Sequence, residues 1–83
     1  MKEEFKIIAN SIQSDKSILD VGCGDGELMK FIYENISKKI RGLEISKDNV
    51  QKCIQKGLTV IEGNAEMDLQ QFPNNSFDYV ILS

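Results

Sequence analysis

The stretch Ile18-Leu19-Asp20-Val21-Gly22-Cys23-Gly24-Asp25-Gly26 holds the residues of this chain best suited to gripping a ligand. Ile18, Leu19 and Val21 form the near-continuous apolar run expected of a parallel strand buried on both faces, and Asp20 interrupts it close to the strand's carboxyl end. A carboxylate in that place needs a polar partner. Gly22, Gly24 and Gly26 remove the β-carbon at alternate positions, so the backbone can turn sharply into a following helix and a ligand can lie directly on it. Cys23 invites comparison with a reactive thiol at a helix N-terminus. With no base near it in sequence, a small residue tolerated in a tight turn is the better reading.

Spacing separates the ligands that use a strand, a glycine turn and a helix. A dinucleotide site wants G-x-G-x-x-G, and counting on from Gly22 and Gly24 places Glu27 where the third glycine belongs. The pattern here is acid-x-G-x-G-x-G, with Asp20 and Asp25 bracketing the turn; two carboxylates there oppose a pyrophosphate. A cationic ligand suits the turn better. S-adenosylmethionine, with its sulfonium and ammonium groups, matches an acidic, glycine-lined pocket.

The elements that must position this turn follow from periodicity. Glu44 falls about twenty positions beyond the turn, near the end of a second strand marked by Ile40, Leu43 and Ile45, where an acid can accept hydrogen bonds from both hydroxyls of an adenosine ribose. Gly42 inside that strand marks close backbone approach. Leu58, Val60 and Ile61 make a third strand, followed by Gly63-Asn64-Ala65-Glu66 at the same carboxyl edge, which is where open α/β sheets bind ligands. Asn64 there can offer its amide to an adenine edge while the Ala65 backbone contacts the ring; the competing reading is a turn with an Asx cap.

Between the strands lie helical patterns. Residues 1–13 form an amphipathic helix with Phe5, Ile8, Ala9 and Ile12 on one stripe. Leu28, Phe31, Ile32 and Ile36 form a second stripe, with Asp25 as N-cap and an end near Ser37. Ser46 caps a third helix, whose Val50, Cys53 and Ile54 face the sheet and which Lys56-Gly57 terminates. Asp68 to Gln71 is a short helical piece, Pro73-Asn74-Asn75-Ser76 a turn, and Phe77 to Leu82 a fourth strand, with Asp78 at its far end in a structural role.

The 83 residues carry a net charge of −3, 41% hydrophobic and 28% charged residues, which describes at most one ordinary globular domain. No basic stripe suits nucleic acid and no polybasic segment suits a membrane surface. Cys23 and Cys53 are the only cysteines and histidine is absent, so zinc-type spacings are missing and no metal site is expected. With no signal-like leader or spanning segment, the expected setting is cytoplasm with reduced thiols. Ser83 follows directly on an apolar run that reads as a central strand, so the expectation is a domain truncated after its fourth strand.

From Ile18 onward the chain resembles the class I S-adenosylmethionine-dependent methyltransferases. Asp20 to Leu28, Gly42-Leu43-Glu44-Ile45, Asp48-Asn49-Val50 and Phe72 to Ser83 are most similar to the MetW family of methionine biosynthesis. The resemblance implies an α/β, Rossmann-like parallel sheet in the order 3-2-1-4 with flanking helices, of which this chain is the N-terminal portion. It implies S-adenosylmethionine as ligand, held by Asp20, Gly22, Cys23, Gly24, Gly26, Glu44, Ile45, Asn64 and Ala65. Glu44 would fix the ribose, Asp20 the methionine amino end, the Gly22–Gly26 turn the methionine moiety and Ile45 the adenine. Asn64 stands where aspartate is commoner. The acceptor and any catalytic residue stay unassigned, since such residues come after the fourth strand in the superfamily. Two functional readings follow: a methyltransferase, or a non-catalytic partner-binding protein acting with homoserine O-acetyltransferase.

Overall fold

The computed structural model describes residues 7, 10–73 and 76–82. Four parallel strands, β1 (Ile18–Val21), β2 (Ile40–Glu44), β3 (Val60–Glu62) and β4 (Tyr79–Leu82), lie in the order β3-β2-β1-β4. Helix α1 (Glu27–Asn35) links β1 to β2, α2 (Lys47–Gln55) links β2 to β3, and the short α3 (Ala65–Asp68) runs into a 3-10 turn at Leu69–Gln71.

β1 is wholly buried, and its two faces feed two cores. Ile18 joins Ile40, Met29, Ile32, Cys53 and Leu58 under α1 and α2, whereas Leu19 and Val21 meet Leu43 on the other side, covered by Ala65, Leu69, Phe72 and Phe77. Phe72 and Phe77 stack edge to face at 5.4 Å, the geometry that aromatic quadrupoles favour. Gly42 lets α1 and the glycine turn settle on the sheet: a β-carbon there would lie 2.6 Å from Cys23 Sγ and 2.7 Å from Met29 Cε.

The helix ends have local causes. Asp25 is not the formal N-cap of α1; Gly26 occupies that place with a φ of 89°, and Asp25 Oδ1 accepts from Glu27 N at 3.2 Å. The helix stops before Ser37 because that hydroxyl leaves the helical path, donating to the Lys16 carbonyl at 2.7 Å and accepting from Lys39 N. Ser46 Oγ caps α2 by accepting from Asn49 N. At its other end Gly57, with a φ of 77°, donates to Ile54 O while Leu58 N donates to Cys53 O, the paired bonds of a Schellman turn. Ile54 does not face the sheet and is 52% exposed. Cys53 points straight into the core, and a step of about 100° around the helix turns its neighbour to solvent.

Of the expected N-terminal helix, Phe5, Ile8 and Ala9 lie outside the described residues, as do Asn74 and Asn75 of the turn before β4 and Ser83. Ile7 and Asn10 are helical, and Ile12 packs against the α1–α2 core. β4 begins at Tyr79 rather than Phe77, because Asp78 N and Tyr79 N bond to Ser17 O across the sheet's lower edge. It is not covered on both faces: Leu82 is 78% exposed.

Two predictions follow from these contacts. Gly42→Ala forces Cys23 and Met29 aside and is expected to destabilise the protein by about 1 to 3 kcal/mol in urea unfolding, the usual scale of overpacking. Asp78 Oδ2 accepts from Ser17 N at 2.9 Å and Ser17 Oγ at 3.1 Å, which holds its carboxyl below its ordinary 3.8. A depressed folded-state value contributes stability that is present above the unfolded value and lost as pH falls through the folded one. The stability difference between wild type and Asp78→Asn is therefore expected to be constant above about pH 5 and to shrink below about pH 4.

Candidate functional site

The carboxyl ends of β1, β2 and β3 and the loops that follow them meet at one cleft of about 420 Å³. Gly22, Glu44, Ile45, Asn64 and Ala65 line it, with Val21 and Leu43 at its base and Leu82 at its rim. The strand register explains the convergence. Asp20 pairs with Gly42 and Glu44 with Glu62, so strand alternation puts Asp20, Gly42 and Glu44 on the face that carries α1 and α2.

Glu44 is buried, and both of its oxygens are committed to main chain. Oε1 accepts from Gly24 N at 2.9 Å and Oε2 from Ser46 N at 3.0 Å. One side chain thus ties the glycine turn to the start of α2. A carboxylate has about four acceptor sites, so these two bonds leave acceptor capacity on each oxygen. Ile45 beside it is 66% exposed and presents an apolar surface to the same space.

Of the remaining expected site residues, Asp20, Cys23 and Gly26 are buried behind this surface and Gly24 is not. Asp20 is fully buried beneath the turn. Gly24 has a φ of 61°, and a β-carbon there would meet nothing within 4 Å, so the bare turn opens on free space. Gly26 is seated in the protein instead: its β-carbon would come within 2.7 Å of Leu58 Cδ1 and 2.9 Å of Cys53 Sγ. Cys23 points inward to Cys53, with the sulfurs 4.0 Å apart, and both thiols are free. Burial, reinforced by Cys53 and by the Asp20 and Glu44 charges, pushes the Cys23 thiol up to about 12.

In the third loop Asn64 does cap a helix. Its Oδ1 accepts from Glu66 N at 2.8 Å, which leaves the amide nitrogen as the group it can present to a ligand. Asp68 completes that loop, since its Oδ2 accepts from Asn64 N at 2.6 Å. The pair works like a capping box lengthened by one residue. Sequence reading missed Asp68 in this role, although an Asn followed four residues later by an Asp was the available signal.

A larger hollow, about 610 Å³, opens at the opposite end of the strands between Lys38, Lys39, Arg41 and Phe72. It gathers cations and hydroxyls and lacks the acid and glycine set. The chemistry that spacing selected therefore lies at the smaller cleft, on the edge where parallel sheets place their ligands.

Sheet order, glycine turn and strand-end acid together define the Rossmann-like fold of class I methyltransferases. A methyltransferase from Archaeoglobus fulgidus described as S-adenosylmethionine-dependent superposes with a TM-score of 0.80 over 93% of this chain and 34% of its own, at 26% identity. A Thiobacillus denitrificans methyltransferase solved with S-adenosyl-L-homocysteine has the same fold, with a TM-score of 0.78 over 99% of this chain and 36% of its own, at 15% identity. The chain belongs to the MetW family: the model of the methionine biosynthesis protein MetW matches residues 2–83. It is also 30% identical, over 92% of its length, to the bifunctional methionine biosynthesis protein MetXA/MetW of Rhodopirellula baltica, of which it spans 14%.

A thiol held near 12 is almost entirely protonated at neutral pH, and the thiolate is the nucleophile. Cys23 is expected to resist iodoacetamide in the folded protein at pH 8 and to react fully once urea unfolds it, as read by intact mass.

Proposed function

We propose that this chain forms the nucleoside-binding part of an S-adenosylmethionine-dependent methyltransferase of the MetW type, acting in methionine biosynthesis in the cytoplasm. The observation that carries the reading is Glu44: a buried carboxylate, already oriented by Gly24 N and Ser46 N, that faces a cleft with an acceptor site left on each oxygen. Two vicinal ribose hydroxyls match that arrangement. Ile45 supports the adenine on its exposed face, the Asn64 amide and the Ala65 backbone meet the adenine edge, and the methionine portion lies over Gly22 and Gly24. Asp20, buried beneath the turn, attracts the methionine ammonium through backbone or water. Cys23 and Gly26 shape the turn from inside rather than touching the ligand.

The ligand supplies an activated methyl group on a sulfonium. The chain's contribution is to bind and orient it, and alignment can supply much of the rate of an in-line displacement. No residue here is assigned to the acceptor. A second reading, a partner-binding protein that works with homoserine O-acetyltransferase, is favoured by the relative that joins MetXA and MetW in one bifunctional chain.

Calorimetric titration of the full-length protein tests the reading. S-adenosylmethionine and S-adenosylhomocysteine are expected to bind and NAD is not; absence of heat with both sulfur ligands overturns it. Glu44→Ala is expected to weaken either sulfur ligand by about 1.5 to 3 kcal/mol, the range for charged hydrogen bonds. An unchanged affinity removes Glu44 from the site. Transfer of labelled methyl to a component of a homologous extract separates the catalytic reading from the partner-binding one.

A further inference from the structure

The glycine turn is held from a second direction, by the far end of α2. Lys56 Nζ donates to the Asp25 carbonyl at 2.8 Å and stands 3.8 Å from Asp25 Oδ1. One turn back, Cys53 Sγ donates to the Gly24 carbonyl at 3.3 Å. Lys56 sits at the C-cap of α2, where a cation also suits the helix dipole, and Gly57 ends the helix directly after it. The start of α2 reaches the same turn through Ser46 and Glu44. The helix therefore clasps Cys23–Gly26 at both ends, and its last contact brings a positive charge to the one acidic side chain within the turn.

We infer that Lys56 is a positioning residue that sets both the shape of the turn and its preference between charged and neutral sulfur ligands. The inference rests on the nucleoside-binding reading above and goes beyond it. Paired with Lys56, the Asp25 carboxylate adds little net field at the turn. Without its partner it attracts a sulfonium, the feature that S-adenosylmethionine has and S-adenosylhomocysteine lacks, since both carry the same amino-acid ammonium and carboxylate. Lys56 thereby limits discrimination between donor and product while keeping the Asp25 main chain in place.

The test is calorimetric titration of both ligands into the full-length wild type and the variants Lys56→Met, Lys56→Arg, Asp25→Asn and Lys56→Met/Asp25→Asn. Lys56→Met is expected to shift the affinity ratio about threefold toward S-adenosylmethionine, the scale of one unit charge acting through about 10 Å of largely solvated space. Asp25→Asn is expected to shift it by a similar factor in the opposite direction. The double variant and Lys56→Arg return to the wild-type ratio, and added salt shrinks both single-variant shifts. A ratio unchanged in Lys56→Met and Asp25→Asn, or equal weakening of both ligands, overturns the inference, because loss of structure alone does not distinguish a sulfonium from a thioether. Asp25→Asn keeps the test decisive should Lys56→Met fold poorly. Wild-type protein that binds neither ligand removes the underlying reading instead, so the two failures are distinct.

Discussion

The site depends on one carboxylate bridging two backbone amides. Glu44 arrives at the end of β2 with Oε1 on Gly24 N and Oε2 on Ser46 N, and so fixes the turn after β1 against the start of α2. Hydrogen bonds to a charged acceptor are among the stronger ones in proteins, and these two are shielded by burial. The same side chain also lines the cleft. On the proposed nucleoside-binding reading, scaffold and recognition fall to a single group, and the ligand would meet a carboxylate already ordered by its two backbone bonds.

Around that bridge the molecule divides by face. The α1–α2 face holds the side chains that shape the turn from below: Gly42 makes room for Cys23, Cys53 and Leu58 seat Gly26, and Lys56 reaches over to Asp25. The opposite face is thinner. Leu19, Val21 and Leu43 are covered by α3, the 3-10 turn and the Phe72–Phe77 pair, while Val80 and Leu82 of β4 remain exposed. The cleft opens at the upper edge between these layers, with its acid supplied from the firm side and its third loop from the thinner one. That third loop is steadied within itself by Asn64 and Asp68.

Much of this was legible in the sequence because the signals were short-range or rigidly spaced. β1 announced itself by Ile18, Leu19 and Val21, the turn by alternate glycines, and Glu44 by its distance from them. Ser46 and Gly57 marked both ends of α2. What escaped depended on three-dimensional neighbours. Ile54 satisfies the i, i+4 rule from Val50 yet lies on solvent, because the covering mass sits on the Cys53 side of the helix. Asp25 reads as an N-cap, but the positive φ of Gly26 moves the helix start one residue on. Neither the Lys56 contact nor the second duty of Glu44 has a local signature, since their partners are 31 and 20 residues away.

The seating of Gly26 on Cys53 and Leu58 also constrains how this chain can drift. With under 3 Å between a hypothetical Gly26 β-carbon and either side chain, position 26 has no room for a side chain while Cys53 and Leu58 keep their places. The shape of the turn is thereby tied to two apolar positions of α2 and the segment after it, Cys53 and Leu58. A side chain at 26 therefore requires a smaller or displaced neighbour at 53 and 58, so these three positions are coupled through packing rather than through the chain.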